Sequence, residues 1–500
     1  MDKNRESFFF KTIITAIAIL GISLSLVQFL FNRSMWSDEA FVALNIIDRS
    51  FFELLQPLEY NAVAPILFLQ LEKIFSLIIP NTEYGFRIIP LISFWLSILF
   101  FYKILRITFK NEYQIVFCLS VFAINNTILY YSSETKQYMS DVLTLLALYY
   151  FLLKEYKNEL KKSYAISLIG ILSIFLSNTA PIVLLAAAGY LIKHYLNTSK
   201  NNIKYLILIL SSWSIFFIVY YLFFIHNHPS YNAMKLYWQD ANAFMPTNPF
   251  KQSFYKFFIF KVGSIIKSFF NYGYVGLLIM TYLMIAGIIF LKKSKNIYLL
   301  LFICPAITHL MLSAFKIYPF ELRLILYTFP CVIILCGYGF GQTLGVNRNV
   351  NALKLKITTI SVIVFLMLIV INNGINNKYD IKSSILFLDT NRKSSDKIYL
   401  SSLAKVPFKL YQKFSFTSVD EKSLILGERT IFWNGKDWDY DKKVYKDELD
   451  KLNGRVWFIF TGVGDEVSKR QYLKEYCKKN NKSLVLENHN NGSDAYLFIF

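Results

Sequence analysis

The sequence predicts an α-helical polytopic membrane protein with a small α/β domain at its C-terminal end. Three observations lead there. The 500 residues are 55% hydrophobic and 18% aromatic, above the roughly 45–50% apolar content of ordinary globular domains. Several apolar runs reach the roughly 20 residues that cross hydrocarbon as a helix. The character then changes near residue 374, after which no run is long enough to span.

Candidate spans fall at 8–31, 86–105, 113–131, 138–153, 164–177, 180–196, 205–225, 269–290, 297–315, 322–342 and 356–373, about eleven in all. The first run is longer than a signal-peptide core and lacks a small-x-small site before Asn32, so it is expected to remain as a helix. The segment 61–79, NAVAPILFLQLEKIFSLII, is apolar but carries Glu72 and Lys73 at its middle. Charge decides its status. With 61–79 left out, the segments MDKNR, KILRITFK, KEYKNELKK, KHYLNTSKNNIK, KKSK and NRNVNALKLK all fall on one side, which the positive-inside rule makes cytoplasmic. Counted as a span, 61–79 inverts that bias. It therefore reads as an amphipathic helix in the outer interface. Asp38, Glu39, Glu134 and the C-terminal domain then share the extracytoplasmic side. The same topology accounts for most of the formal net charge of +20. No basic-aromatic pattern suited to nucleic acid is present.

Residues 1–373 form the expected membrane domain and 374–500 a soluble, mildly basic extracytoplasmic α/β domain. In the latter, KIYLSS (397–402), VWFIFTG (456–462) and AYLFIF (495–500) read as strands and Glu466–Lys479 as a helix. Cys118, Cys304, Cys331 and Cys336 lie in apolar runs and Cys477 is alone, so neither a disulfide framework nor a metal-type pair is available. The C-terminal domain is expected to stand on its own core.

Acidic residues are scarce in 1–373. A carboxylate near bilayer depth is costly unless it faces protein or water, so those at span boundaries are functional candidates. Asp38 and Glu134 stand out, each at a membrane boundary in an aromatic-rich outer loop. Asp48, Glu53 and Glu59 read as solvated loop acids. Asp141 is the lone acid expected within a span.

The residues around these positions resemble a known family. MWSDEAF (35–41), directly after the first span, resembles the Asp-Glu motif in the first outer loop of the GT-C glycosyltransferases, a superfamily that includes the protein O-mannosyltransferases and the lipid A aminoarabinose transferase. YNAVAPILFLQLEKIF (60–75) resembles the interfacial helix after that motif. NTEYGFRIIPLISFWL (81–96) resembles its Glu…Arg-hydrophobic-Pro approach to the second span. YYSSETKQYMSDVL (130–143) resembles its Tyr-Tyr-Ser-x-Glu-x-Arg-x-Tyr outer loop, and KIYPFELRLILYTFP (316–330) a late Tyr-Pro…Arg motif. The likeness covers 1–373; the C-terminal domain is similar in position only. Two departures stand out: Asn61-Ala62-Val63-Ala64-Pro65 replaces a His-Pro-Pro type motif, and Lys136 stands where relatives often have Arg.

The resemblance implies transfer of a sugar from a polyprenyl-phosphate carrier to an acceptor lipid, surface glycan or protein, outside the bacterial plasma membrane. It implies Asp38 as general base, with Glu39 the lesser of the pair and Glu134 supporting the acceptor or sugar. Adjacent carboxylates also allow one to ionise while the pKa of the other rises. Arg87, Lys136 and Arg323, at outer span boundaries, are candidates for the donor phosphate, Arg binding it as a fork and Lys as a point charge. Arg323 has an alternative partner in Glu321. Tyr138 in the fourth motif, and Tyr237, Trp238 and Asp240 in the loop after the span 205–225, are candidate sugar or acceptor contacts; for Tyr237 and Trp238 an interfacial aromatic belt is an equal alternative. His226-x-His228 offers a divalent metal only two ligands, so a metal stays open and no other cofactor is implied. A transporter or lipid-carrier flippase would carry its charges near the midplane and repeat its halves. A polysaccharide ligase or polymerase would centre on outer-loop Arg and His. GxxxxGK[ST], HExxH and GxSxG motifs are absent.

The sidedness is directly testable. Topology reporters fused after Asn81 and after Glu134 should both read extracytoplasmic, and one after Lys157 cytoplasmic. Opposite signals from the first two would make 61–79 a span.

Overall fold

The computed structural model describes residues 3–198, 203–226, 228–270, 273–343, 379–428, 431–433, 438–462 and 465–500, with 361, 364, 368 and 374 singly between. The N-terminal part runs α1 (Lys3–Leu30), α2 (Ser37–Asp48), α3 (Ile66–Ile78), α4 (Ile88–Thr108), α5 (Glu112–Ala123), α6 (Asn126–Tyr131), α7 (Tyr138–Leu153), α8 (Glu159–Leu176), α9 (Ala180–Thr198) and α10 (Ile203–Tyr220). It continues with α11 (Tyr231–Asp240), α12 (Gln252–Lys256), α13 (Gly263–Phe269), α14 (Gly273–Lys293), α15 (Tyr298–Ala314), α16 (Leu322–Ile325) and α17 (Phe329–Thr343). Among the described residues five stretches are long and apolar enough to cross a membrane: Phe8–Leu30, Ile88–Thr108, Ile203–Ile225, Gly273–Lys293 and Leu322–Thr343. Each expected span has a helical counterpart except 356–373, which lies almost wholly outside the described residues.

Two expected spans are broken, each by an identifiable residue. The run 113–131 divides because Asn125 turns to cap α6. Its Oδ1 accepts from Thr127 N (3.0 Å) and Ile128 N (3.1 Å), while its Nδ2 donates to Phe269 O (2.8 Å). Capping of this kind satisfies amides that the helix itself leaves without partners. The run 322–342 passes through a 3₁₀ turn at Leu326–Thr328 just ahead of Pro330. Proline has no N–H for the preceding turn, so α17 starts anew at Phe329. Close approach holds α14 against α17. A Cβ on Gly287 would collide with Leu335 O and one on Gly339 with Leu283 O, so small residues set that contact.

α3 departs from the expectation of charges bathed in interfacial water. Lys73 Nζ donates to Ile46 O (2.7 Å) and Ile47 O (3.3 Å), at the carbonyl end of α2, where a cation is favoured. Glu72, one residue earlier, turns into protein and is fully buried, with no hydrogen bond to either carboxyl oxygen among the described residues. Burial raises its carboxyl well above the usual 4.5.

In the C-terminal domain a five-stranded sheet runs in the order β2 (Leu424–Leu426), β1 (Lys397–Leu400), β5 (Arg455–Thr461), β7 (Ser493–Ile499), β6 (Ser483–Asn490). A short antiparallel pair, β3 (Ile431–Trp433) and β4 (Trp438–Tyr440), lies outside it. β1 pairs in parallel with β2 and β5, whereas β7 is antiparallel to β5 and β6. The helices are α18 (Ile381–Asn391), α19 (Lys405–Lys413), α20 (Lys442–Asp450) and α21 (Asp465–Lys479). One face builds its own core from Tyr399, Tyr445, Leu449, Phe458 and Leu473. The other does not. Met35, Ala40 and Leu44 join Ile385, Leu400, Phe408 and Trp457 in a single cluster. The expected independent core is thus corrected: the apolar face of α2 packs on α19, which joins it to one face of the sheet in a single core.

Glu72 generates a pH prediction. Its folded pKa is raised above its unfolded value, so its contribution is complete below about 4.5 and is lost as pH rises toward the folded value. Glu72→Gln lacks that titration. Its melting temperature in detergent should match wild type near pH 4.5 and exceed it at pH 8. Coincident curves at pH 8 would contradict a neutral, unpartnered acid.

Candidate active site

Two loops meet at one end of the bundle: 31–36 after α1, and 132–137 between α6 and α7. Trp36 is extended (φ −85°, ψ 173°), and α2 begins at the next residue without a side-chain cap. Asp38 and Glu39 occupy its first turn. Successive helical residues diverge by about 100°, so the two carboxylates cannot share one environment.

Glu39 points inward. It pairs with Arg33 Nη1 (2.7 Å) and Arg87 Nη2 (3.3 Å) and accepts from Thr135 N (2.9 Å), all fully buried. Burial favours its neutral form, but the two guanidinium groups outweigh that and hold the carboxyl below its usual range. Adjacency to Asp38 is therefore not what tunes it. Arg87 also donates to Arg33 O (2.8 Å) and Asn32 Oδ1 (3.2 Å), which commits its guanidinium to protein partners. Arg33, absent from the sequence candidates, lies over the Tyr130 ring at 4.7 Å.

Asp38 points the other way. Its Oδ2 stands 2.5 Å from Arg323 Nη1, the two ends of the pair being 28% and 16% exposed. The Arg323 guanidinium lies 5.6 Å from the Trp36 ring and 5.1 Å from that of Trp238, a geometry that stabilises a cation over aromatic faces. Trp36 Nε1 donates to Glu134 Oε1 (3.1 Å), and the Trp36 ring also meets Tyr379 at 5.9 Å. Lys136, two residues beyond Glu134, is buried. Burial pushes its ammonium below the usual 10.5, Asp38 opposes that, Arg323 adds to it, and Glu134 opposes it again. Asp38, Glu134 and Arg323 are thus all near enough to act on the charge of Lys136. Tyr138, the first residue of α7, is buried edge-on to Tyr131 at 5.4 Å.

The turn that carries Arg323 is fixed from behind. His309 Nε2 faces Pro319 O (2.9 Å), and since a carbonyl only accepts, Nε2 carries the proton; Nδ1 then accepts from Tyr327 Oη (3.1 Å). Glu321 pairs with Lys261 Nζ (2.5 Å) and accepts from Leu322 N (3.2 Å). The Glu321–Arg323 alternative is not realised. Asp141 falls in the first turn of α7 and accepts from Ser177 Oγ (2.6 Å), so it is not a midspan acid.

Other candidates stand apart. Trp238 reaches the cluster, with Tyr237 packed edge-on beside it at 5.0 Å. The Asp240 side chain at the end of α11 has no hydrogen bond or ion pair among the described residues. His226 and His228 line an apolar cleft with Leu54, Ile66, Leu69 and Tyr220, not the Asp38 cluster. Among the described residues no group of three or more His, Cys, Asp or Glu is placed to hold a metal.

The chain is thus a helical, multi-pass membrane protein with a paired-charge, tryptophan-lined site at the end of its bundle that adjoins the α/β domain. No protein-family model matches the sequence, and no curated protein does. Among solved structures, that of ArnT from Cupriavidus metallidurans bound to undecaprenyl phosphate aligns with 99% of this chain and 98% of its own, at a TM-score of 0.51 and 11% identity. ArnT from the same organism in the apo state aligns with 97% of this chain and 98% of its own, at a TM-score of 0.49 and 12% identity. The chain shares the fold of ArnT over nearly its whole length.

The Glu39 triad gives a stability prediction. Removing one partner of a buried pair costs about 3–5 kcal/mol, because the remaining charge stays buried without compensation. Glu39→Gln should therefore lower the melting temperature sharply, whereas Asp38→Asn, at a part-exposed pair, should shift it little. Equal melting temperatures for the two variants would contradict the inward role of Glu39.

Proposed function

We propose that this protein is an integral membrane glycosyltransferase that moves a sugar from a polyprenyl-phosphate carrier to an extracytoplasmic lipid, glycan or protein acceptor, on the outer face of the bacterial plasma membrane. The observation that carries this reading is the Asp38–Arg323 pair, closed at 2.5 Å beside the buried Lys136. The fold shared with ArnT supports a polyprenyl-phosphate donor, as ArnT itself was captured with undecaprenyl phosphate.

In the resting site the two charges neutralise one another. A donor phosphate competes for Arg323 and releases the Asp38 carboxylate. Asp38 then takes the proton of the acceptor hydroxyl, whose oxygen attacks the anomeric carbon as the sugar–phosphate bond breaks. Polyprenyl phosphate leaves with the bonding electrons, and Arg323 and Lys136 stabilise its charge. General-base assistance contributes about 10²–10⁴ in rate, and preorganised cations in a water-poor site add to it. Glu134, oriented by Trp36 Nε1, supports the acceptor or sugar; Tyr138, Tyr237 and Trp238 offer stacking and hydroxyl contacts. Glu39 and Arg87 move from the chemistry to the frame behind it.

The test is purified protein supplied with a labelled polyprenyl-phosphate sugar. Release of polyprenyl phosphate is expected; translocation without cleavage would replace the reading with a flippase. Asp38→Asn should lower turnover by at least ~10². Arg323→Lys should cost roughly ten- to a hundredfold in catalytic efficiency, since one ammonium cannot reproduce a planar fork. Glu321→Gln should be close to silent. If Arg323→Lys is silent instead, Arg323 does not hold the phosphate.

A further inference from the structure

The segment 32–36 that leads into α2 has no regular secondary structure, and its first residue, Asn32, sits at φ 47°. Nothing intrinsic fixes its path, and α2 has no side-chain cap to start it. Yet two of its backbone groups and the side chains of Ser34 and Trp36 are held by the far end of the chain, while Arg87 holds Arg33 O. Lys382 Nζ donates to Asn32 O (2.7 Å). Ser34 Oγ accepts from Lys382 N (3.1 Å) and donates to Asp380 Oδ1 (2.8 Å). Met35 N donates to Tyr411 Oη (2.8 Å), the Trp36 ring meets Tyr379, and Ser37 Oγ donates to Leu403 O (3.1 Å).

Glu83 is the knot behind this strip. It accepts from Tyr411 Oη (2.9 Å) and Asn32 Nδ2 (3.1 Å) and pairs with Lys382 Nζ (2.6 Å). At the opposite end of α2, Lys413 pairs with Asp48 (2.9 Å). The C-terminal domain therefore grips α2 at both ends. Tyr411 is buried, and removal of its hydroxyl would leave the Met35 amide and one Glu83 contact without a partner in a dry place.

We propose that Tyr411 and Lys382 are positioning residues for the reaction: they fix the path of 32–37 so that Asp38 faces Arg323. This rests on the reading of Asp38 as the base. The need for such a clamp follows from the tolerances of catalysis, where a displacement of about 1 Å can cost on the order of 10² in rate. The function assigned to the C-terminal domain is then to set the geometry of the membrane-end site rather than to supply a reacting group.

Two readouts on the full-length protein test this. By amide hydrogen exchange, Tyr411→Phe should speed exchange at 32–37 by about tenfold while leaving strands 455–461 and 493–499 unchanged. In donor turnover, Tyr411→Phe should lower kcat by about tenfold or more with donor KM nearly constant, and Lys382→Arg should retain more activity than Lys382→Met. Phe458→Leu, in the core on the opposite face of the sheet, serves as the control for loss of stability alone. Unchanged exchange at 32–37 overturns the proposal, as does a Tyr411→Phe kcat no lower than that of Phe458→Leu at matched amounts of folded protein. Full turnover in Asp38→Asn would be a separate failure, of the base assignment, and would leave the exchange result intact.

Discussion

The buried triad of Glu39 with Arg33 and Arg87 is the interaction on which the rest of the site depends. It joins the exit of α1, the approach to α4 and, through Thr135 N, the loop between α6 and α7. Three helix ends are thereby referred to one carboxylate. Such a charge is expensive to bury and gains little net stability when paired, so its value lies in geometry: one inward carboxylate leaves its neighbour Asp38 only the opposite direction. Arg323 arrives there from the last described span, on a turn held by His309 and Tyr327.

Where charge is placed also explains how the bundle tolerates it. The acids here sit at or near helix ends, and each finds a donor: Asp38 the Arg323 guanidinium, Glu134 the Trp36 indole N–H and Asp141 the Ser177 hydroxyl. Glu72 is the exception, and it is accommodated by neutrality instead of pairing. The body of the bundle is left to apolar packing and to glycine contacts such as Gly287 against α17.

Much of this was legible in the residues, and the misses have physical causes. The run lengths and the Lys/Arg asymmetry located the helices and left 61–79 out of the spans; the direct contacts between loops 31–36 and 132–137 agree with that count. Asp38 and Arg323 fall in two separate motifs and pair directly in the fold, and the charge of Lys136 is felt by both. The role of Glu39 was not readable, because adjacency in sequence does not reveal which way each side chain turns once a helix forms. Arg87 looked available for phosphate for the same reason. Asn125 is a polar residue inside an apolar run, a signal that could have been read as a break. Trp36 stood inside the quoted motif, yet nothing local reveals that it receives a guanidinium carried nearly three hundred residues away. The core shared by α2 and the sheet was invisible for a related reason: each half is apolar enough to suggest a complete core alone.

That shared core also imposes an order in time. Met35 finds its partner Tyr411 only 376 residues later in the chain, and α19, which covers α2, shares its core with a sheet that β7 completes. At roughly 5–20 residues per second of synthesis, the apolar face of α2 waits some tens of seconds for its cover. During that interval the neighbouring α3, with Lys73 on the α2 carbonyls, is a local partner. The site is among the first segments made and among the last to take shape. A chain released early would insert its helices yet carry an unformed site, so completeness of the protein and competence of its charged pair are one event.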